Sequence, residues 1–212
     1  MPQILLEDEK LKLTNLSKPL WPDDNITKAD FIKYYVQVAP VILPHLKDRP
    51  MVFTRYPDGI YGKAFYQKNV PDYAPKWLKT FKIESDEGNI TEYVLINDVK
   101  SLIWAANQAS LELHPWLSRT SSLENPDYII FDLDPMENTD FEDVRKVALA
   151  LKDLLDMEGL ISFPKTSGST GIQIYVPIAS KYTYEQVREF AKLFCLVIER
   201  TFPEITTTER NV

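Results

Sequence analysis

The sequence predicts an α/β (α+β) protein in which mixed or antiparallel β-sheets are flanked by helices. Three observations indicate this class: apolar runs that alternate with turn clusters over residues 51–96, helix-capping residues ahead of helical apolar spacing, and a buried strand at residues 128–133. The 212 residues are 44% hydrophobic, enough to bury a core without disulfides or structural metals. Because no repeat or linker divides the chain, we expect one domain over residues 1–212.

The first half of the chain combines one long helix with several strands. Thr27 and Asp30 have the spacing of a capping box, and an apolar face follows at Phe31, Tyr34, Val38 and Ile42. Pro40 and Pro44 are expected to kink or end this helix, because proline lacks the backbone donor that a helix interior requires. Strands are expected at residues 51–54, 64–66, 80–83 and 93–96.

Three further helices are predicted in the second half. Ser101 is expected to cap a helix that runs to about residue 109. Residues 139–142 have capping-box spacing, and the helix that follows has the clearest apolar periodicity in the chain, with Gly159 as its end. Thr183 begins the last helix. Strands are expected at residues 162–164 and 172–176, around a turn rich in serine and glycine.

The distribution of charge is more informative than its sum. The net charge is -7, but residues 124–143 hold eight acids and no Lys or Arg, whereas residues 47–82 hold eight Lys or Arg against three acids. A basic face together with an acidic pocket is typical of an enzyme that binds nucleic acid and metal ions, although both runs could be solvated surface. Cys195 lies among apolar residues and is expected to be a core thiol. No segment has the length of a membrane span, so we expect a cytoplasmic, nucleoid-associated protein.

Asp132 and Asp134 are the strongest candidates for chemistry. Residues two apart in a strand point to the same face, so the two carboxylates are neighbours while Phe131 and Leu133 point into the core. Two adjacent carboxylates are costly unless a cation or a shared proton compensates them, and hard oxygen ligands select Mg²⁺ or Mn²⁺. The pair therefore predicts a divalent-metal site. The alternative is an acidic strand end that faces solvent.

A second candidate is the small-residue turn at residues 165–173, with the sequence KTSGSTGIQ. Such a turn can direct backbone N–H groups and hydroxyls at a phosphate, although it lacks the P-loop pattern and could be an ordinary hairpin turn. It returns to the sheet one helix after the acidic strand. We therefore expect the turn and the two aspartates to lie side by side.

Seven ordered motifs resemble the polymerase domain of the bacterial and archaeal ligase D system. They are NLSKPLWP (15–22), RP (49–50), RYPDG (55–59), FYQK (65–68), LHPW (113–116), PD through FDLDP (126–135) and KTSG (165–168). This family belongs to the archaeo-eukaryotic primase superfamily, and the match covers nearly the whole chain. The resemblance implies a primase-polymerase fold and a template-directed DNA/RNA nucleotidyltransferase that adds ribonucleotides or deoxyribonucleotides at gaps or broken ends in non-homologous end joining.

The resemblance also assigns roles to individual residues. It implies that Asp132 and Asp134 are catalytic ligands of two Mn²⁺ or Mg²⁺ ions. The positions that match contacts to the incoming NTP or dNTP are Arg55, Lys68, His114, Ser167, Thr170 and Gln173. The positions that match DNA contacts are Lys18 and Lys28 at a downstream 5′-phosphate, and Phe65 and Tyr66 on template bases. The implied partners are DNA with a 5′-phosphate, a DNA ligase and the end-binding protein Ku, with no membrane.

Three departures from the family pattern bear on activity. Thr170 stands where many relatives have lysine, and Gln173 stands where the superfamily commonly has histidine, so neither position contributes positive charge. The third metal-binding aspartate of the family is expected after residue 212. We therefore expect a C-terminally truncated domain whose last strands are missing.

Two other interpretations remain open from the sequence. The first is a catalytically incomplete module that binds DNA ends and recognises a 5′-phosphate through Lys18, Lys28 and the basic segment. The second is a phosphatase like the haloacid dehalogenases, because an apolar strand that ends in Asp-x-Asp also describes their nucleophile motif. Pro135 and Met136 follow the pair here, where those enzymes usually have Gly-Thr or Gly-Val.

Overall fold

A computed structural model describes residues 3–6, 9–85 and 87–208. The chain divides into two compact units, Met1–Ser121 and Ser122–Val212, which we call the N-terminal and C-terminal units. None of the described helices is both long and apolar enough to cross a bilayer.

The N-terminal unit contains nine strands and two helices within its described residues. They are β1 (Gln3–Leu6), β2 (Glu9–Lys12), β3 (Pro19–Trp21), β4 (Ile26–Thr27), α1 (Lys28–Leu46), β5 (Pro50–Arg55), β6 (Phe65–Gln67), β7 (Thr80–Glu84), β8 (Ile90–Leu95), α2 (Val99–Asn107) and β9 (Ser110–Pro115). Strands β1 with β2 and β3 with β4 form two-stranded antiparallel pairs. The other five strands form one antiparallel sheet in the order β6-β5-β8-β7, and β9 also pairs with β5.

The register of this sheet decides which candidate side chains share a face. Thr54 lies opposite Tyr66 on β6 and opposite Glu112 on β9, so these three side chains project from one face. Arg55 lies opposite Phe65, and both project from the other face. Phe65 and Tyr66, which we predicted as an aromatic pair, are therefore on opposite sides of the sheet.

Helices α1 and α2 cover the apolar side of the N-terminal unit. Their contribution to its core consists of Phe31, Ile32, Tyr35, Ala39, Leu46, Leu102, Ile103, Trp104, Ala105 and Ala106. Helix α1 has the predicted capping box, with Thr27 as N-cap and Asp30 as its partner. It also continues through Pro40 and Pro44 to Leu46, so of the two predicted alternatives, a kink or an end, the end does not occur. Both prolines lie on the exposed face four residues apart, where carbonyl groups freed by proline can bond to water while Ala39 and Leu46 stay buried.

The C-terminal unit is a three-stranded antiparallel sheet covered by two helices. Its elements are β10 (Tyr128–Leu133), α3 (Phe141–Met157), β11 (Phe163–Thr166), β12 (Ile172–Pro177) and α4 (Tyr184–Thr201), and the strand order is β10-β12-β11. Phe131 and Ile174 on one face are buried in a core with Leu151 and Leu155 of α3 and Phe194 of α4. The helices therefore pack on the face opposite Asp132.

The capping residues of two helices differ from the prediction. Asp98 caps α2 and Ser101 is its partner three residues later, because the two side chains exchange bonds with each other's backbone. In the same way Asp140 and Asp143 form the capping box of α3, one residue later than predicted. Thr183 caps α4 as expected. The predicted fold class, a mixed α+β protein with antiparallel sheets flanked by helices, is confirmed.

Candidate nucleotidyl transfer site and DNA-binding residues

Asp132 and Asp134 lie at the end of β10, and both side chains are exposed. Phe131 is buried and Leu133 is partly buried against the core of the C-terminal unit, as the strand alternation predicts. Among the described residues, no hydrogen bond or ion pair engages either carboxylate. Two acidic side chains on one face of one strand are thus left without a protein partner, which is how ligands of a cation are presented.

The backbone at Gly171 lies directly against Asp134. A Cβ atom at Gly171 would overlap Oδ1 of Asp134, and it would lie 2.6 Å from the carbonyl oxygen of Leu133 and 3.3 Å from Oγ of Ser167. Real Cβ atoms essentially never approach other heavy atoms closer than 3.0 Å. The absence of a side chain at residue 171 therefore lets the turn lie against the second aspartate, and the prediction that turn and acidic strand are neighbours is confirmed.

A row of polar side chains crosses the C-terminal sheet beside the acids. Asp132 lies opposite Gln173 on β12, and Gln173 lies opposite Lys165 on β11. Because directly paired residues project from the same face, all three share the face that the helices leave uncovered. Nζ of Lys165 donates a hydrogen bond to Oε1 of Gln173 over 3.1 Å. Lys165 thus brings to this face the positive charge that neither Thr170 nor Gln173 supplies.

The turn between β11 and β12 uses most of its backbone donors internally. Oγ of Ser167 accepts from the N–H groups of Gly171 at 3.0 Å and Ser169 at 3.3 Å, while the N–H of Ser167 donates to the Gly171 carbonyl at 3.0 Å. Ser167 keeps its own hydroxyl hydrogen for a ligand. Thr170 is exposed at the tip of the turn. The turn therefore offers hydroxyl groups to a phosphate, because these three backbone N–H groups are already hydrogen-bonded within the turn.

The two aspartates fit a hard divalent cation as two of its oxygen ligands. In the part of the chain that the structure describes, no group of three or more His, Cys, Asp or Glu side chains is arranged to hold a metal ion. Residues 209–212, after which the resemblance places a third aspartate, lie outside the described residues.

His114, in the N-terminal unit, contacts three side chains of the β5–β6–β9 face. Its Nε2 atom lies 2.8 Å from Oγ1 of Thr54 and 3.2 Å from Oε2 of Glu112. The ring of Tyr66 stacks on the imidazole with centroids 5.5 Å apart and planes inclined by 25°. The hydroxyl of Tyr56 donates to Oε1 of Glu112 over 2.6 Å. Histidine and carboxylate thus belong to one hydrogen-bonded group.

The electrostatics of this group depend on Glu112. Burial by itself raises the pKa of its carboxyl, but hydrogen bonds from Tyr56 and Thr54 outweigh burial and, with the neighbouring imidazole, hold that pKa below its ordinary value. The same bond to Glu112 raises the pKa of the Tyr56 hydroxyl. Glu112 is therefore ionised at neutral pH and Tyr56 is a hydrogen-bond donor.

Arg55 is occupied by protein partners on the opposite face of the sheet. Its Nε donates to the carbonyl of Gln108 over 2.9 Å, one terminal nitrogen donates to Gln67 at 2.7 Å and Tyr73 at 2.9 Å, and the other donates to the Gln108 side chain at 3.2 Å. The guanidinium also lies 5.1 Å from the ring centroid of Phe65. The structure thus separates Arg55 and Phe65 from His114 and Tyr66.

Lys18, Lys28 and Arg55 form a group of cations within the N-terminal unit. Nζ of Lys18 lies 2.5 Å from Oδ1 of Asp58. Lys28 is 5% exposed, and its Nζ donates to Oγ1 of Thr14 over 3.2 Å. Burial lowers the pKa of Lys28 to about 8, and the charges of Lys18 and Arg55 add to this shift. A buried lysine beside two other cations is unfavourable unless an anion joins them.

Lys68 follows β6 directly and is exposed, with no ion pair among the described residues. Three residues that now stand out were not predicted as site residues: Gly171, Lys165 and Glu112. The strand register that brings each of them to its neighbours is not visible in the sequence. Two signals were available: the candidate turn at residues 165–173 contains Lys165 and Gly171, and alternation places Glu112 on the face of His114, two residues away.

Comparison with known proteins identifies the family. The family model described as LigD, primase-polymerase domain matches residues 27–212. The chain is 40% identical over 205 residues to the bifunctional non-homologous end joining protein LigD of Bacillus subtilis, covering 96% of this chain and 32% of that protein. It is 34% identical over 201 residues to the multifunctional non-homologous end joining protein LigD of Mycolicibacterium smegmatis, covering 94% of this chain and 26% of that protein.

A solved structure is similar over nearly the whole chain. The polymerase domain of Mycobacterium tuberculosis ligase D in complex with DNA has a TM-score of 0.87 and 33% identity, covering 95% of this chain and 72% of that one. The chain thus spans about a third of the length of the B. subtilis relative. The predicted fold class and the resemblance to the ligase D polymerase domain are confirmed, and the phosphatase interpretation loses its support. Members of this family depend on a metal. These matches show that the chain belongs to the LigD primase-polymerase domain family.

Proposed function

We propose that residues 1–212 act as one catalytic domain that adds ribonucleotides or deoxyribonucleotides to DNA at gaps or broken ends, with Mn²⁺ or Mg²⁺ held by Asp132 and Asp134. The main observation behind the proposal is the exposure of these two carboxylates together with the lack of a neutralising partner among the described residues. They are exposed on one face of β10, no described residue neutralises them, and the bare backbone at Gly171 lies against the second one.

The candidate residues of the C-terminal unit have two roles in this proposal: they bind the metal ion and the phosphates of the nucleotide. A bound divalent cation would stabilise charge on the attacking and leaving oxygens of the transfer. Asp132 and Asp134 hold that cation. Lys165 contributes positive charge to the same face, and the hydroxyls of Ser167 and Thr170 donate hydrogen bonds to phosphate oxygens. In the N-terminal unit, His114 contacts the nucleotide and Phe65 or Tyr66 contacts template bases.

The names of the related proteins support the proposed partners. The M. tuberculosis domain was solved in complex with DNA, and the B. subtilis and mycobacterial proteins are named for non-homologous end joining. We propose that this chain likewise binds DNA with a 5′-phosphate and acts beside a DNA ligase and Ku at broken DNA in the nucleoid.

Primer extension with the purified protein tests the metal site. Asp132→Ala, Asp134→Ala and the double variant are compared with wild type on gapped DNA in Mn²⁺ and in Mg²⁺. We expect each single change to lower the rate at least about 100-fold, the size of losing one preorganised charge contact. Glu137→Gln, an exposed acid in the loop after β10, is the matched control and should keep activity. Full activity in the double variant would overturn the proposal.

A second function, recognition of a DNA end by its 5′-phosphate, is favoured by one specific observation. Lys28 is buried although it makes no ion pair among the described residues, and burial lowers its pKa. Such an arrangement becomes favourable when a phosphate enters, and Lys18 and Arg55 are its electrostatic neighbours.

Binding to gapped DNA with and without a 5′-phosphate separates this function from catalysis. We expect Lys28→Met to remove the preference for the phosphate while Asp132→Ala keeps it. Binding with a 5′-phosphate preference but without extension by the wild-type protein would support the incomplete DNA-end-binding module. Equal binding of both DNAs by wild type would exclude the phosphate site.

A further inference from the structure

His114 is held through only one of its two ring nitrogens. Nε2 lies within hydrogen-bond distance of Thr54 Oγ1 at 2.8 Å and of Glu112 Oε2 at 3.2 Å. Within the described part of the chain, nothing bonds Nδ1. The side chain of His114 is 41% exposed, so a ligand has access to the ring.

The partners of Nε2 decide where the proton of the neutral imidazole lies. A carboxylate only accepts hydrogen bonds, so a bare Nε2 would place a lone pair against an oxygen of Glu112. Tyr56 donates to the other oxygen of Glu112 over 2.6 Å, which keeps the carboxylate in place. Thr54 can accept from Nε2 and donate its own hydroxyl hydrogen to Glu112. With the proton on Nε2, every donor of this group has an acceptor within it and no lone pair of the ring faces the carboxylate.

We propose that Glu112 is a positioning residue that fixes the proton of neutral His114 on Nε2 and thereby presents Nδ1 as a hydrogen-bond acceptor to a hydroxyl of the bound nucleotide. The stacked ring of Tyr66, with centroids 5.5 Å apart, holds the plane of the imidazole. The contact to a nucleotide rests on the function proposed above, whereas the position of the proton does not. A fixed tautomer also makes the site selective, because an acceptor binds hydroxyl donors and repels phosphate oxygens.

Nitrogen-15 NMR of the histidine rings tests the tautomer without any assay of activity. The chain has two histidines, so His45→Gln leaves His114 as the one ring that is observed. At a pH where the imidazole is neutral, we expect wild type to show a protonated Nε2 and an unprotonated Nδ1. In Glu112→Gln the amide can present either its oxygen or its NH₂ group to the ring, so we expect a mixture of tautomers. Glu84→Gln, an exposed acid at the end of β7, is the matched control and should leave the spectrum unchanged.

A protonated Nδ1 in wild type would overturn the proposal whatever the enzyme does, and this measurement needs no variant at Glu112. Tyr56→Phe keeps the carboxylate and should keep the Nε2 proton, which covers the case in which Glu112→Gln fails to fold. In primer extension, Glu112→Gln should raise KM for the nucleotide about five- to tenfold with a smaller change in kcat, the effect of misplacing one hydrogen bond. An unchanged tautomer together with an unchanged KM in Glu112→Gln would also overturn it. Absence of extension by wild type with the expected tautomer would instead refute the proposed function alone.

Discussion

The two units hold their candidate functional side chains by different means. In the N-terminal unit, Arg55, His114 and Lys18 are each hydrogen-bonded to other side chains at 2.5 to 3.2 Å. In the C-terminal unit, Asp132 and Asp134 have no side-chain partner within the described ranges. Their position is set by the strand register and by the close approach of the turn backbone.

This difference corresponds to what each group is proposed to bind. Side chains that contact a nucleotide or DNA gain from being oriented in advance, because ordering them then costs nothing on binding. A pair of metal ligands must instead stay unpaired, since a lysine or arginine between them would compete with the cation. Hydrogen-bonded side chains are therefore suited to binding nucleotide or DNA in the N-terminal unit. A close backbone that leaves the carboxylates unpaired is suited to metal binding by Asp132 and Asp134.

Gly171→Ala is expected to have the largest effect, because it adds a side chain where the backbone of the turn lies against Asp134. The new methyl group would overlap Asp134 and lie 2.6 Å from the Leu133 carbonyl, so the strand end or the carboxylate must move. A displacement of about 1 Å at a catalytic group costs on the order of 100-fold in rate. Primer extension over a range of Mn²⁺ concentrations measures both the rate and the metal requirement.

Gly159→Ala is the control for this substitution. Gly159 follows α3 with φ +69°, and nothing lies within 4 Å of a Cβ there. We expect it to cost about 1 kcal/mol of stability through backbone strain while activity is kept. Normal activity and an unchanged Mn²⁺ requirement in Gly171→Ala would show that the turn does not position Asp134.

Arg55→Lys tests the networks of the N-terminal unit. A lysine cannot reproduce the forked contacts to Gln67, Tyr73 and Gln108, and it leaves partly buried acceptors unsatisfied. We expect the free energy of unfolding in urea to fall by about 2 kcal/mol. Arg145→Lys, which changes an exposed pair with Glu142 on α3, should change it by less than about 0.5 kcal/mol. Equal stability of the Arg55 variant and wild type would mean that the network contributes nothing.

The sequence predicted the C-terminal unit better than the N-terminal one. Strand β10 and the apolar face of α3 at Val144, Ala148, Leu151 and Leu155 follow directly from alternation and helical spacing. The short strands β1 to β4 were missed, since two to four residues are too few to show a period. Helix α1 was predicted to kink or end at its prolines, and it continues past both, with Ala39 and Leu46 buried in the core.

The sequence predicted that the two aspartates share a face and that the turn lies beside them, but it did not predict which side chains of the paired strands join them. Asp132 and Asp134 share a face by alternation alone. Lys165 joins the row with Gln173 and Asp132 because β12 lies between β10 and β11. Arg55 is separated from His114 because the two residues project from opposite faces. Strand pairing is a long-range property that spacing within one segment does not encode.

The pH dependence of stability sharpens the comparison at Lys28. Its pKa of about 8 in the folded protein lies below the ordinary 10.5, so between these values the unfolded chain binds more protons. The contribution of Lys28 therefore makes the free energy of unfolding rise as pH rises from about 8 to 10.5, and below pH 8 the buried charge lowers stability. We expect Lys28→Met to stabilise the protein at pH 7 by on the order of 1 kcal/mol, with the gain fading toward pH 10.

Urea unfolding at pH 7 and pH 9.5 measures this difference. Lys33→Met, an exposed lysine on α1, is the matched control and should show no pH-dependent gain. A destabilised Lys28→Met variant at pH 7 would mean that the charge is already compensated in the free protein, and the argument for an anion at this position would fail.

Lys165→Met is expected to have the smallest effect, and it tests whether a side chain also contributes in the unit that otherwise depends on backbone. Nζ of Lys165 bonds to Gln173 in the row that includes Asp132, and the side chain is exposed, so water weakens its attraction for phosphate. We expect KM for the nucleotide to rise about threefold with kcat nearly unchanged, and Lys165→Arg to restore it. Lys181→Met, an exposed lysine between β12 and α4, should have no effect. A lower kcat with an unchanged KM in Lys165→Met would mean that Lys165 positions Asp132 and Asp134 and does not bind the nucleotide. The C-terminal unit would then depend on a side chain, as the N-terminal unit does.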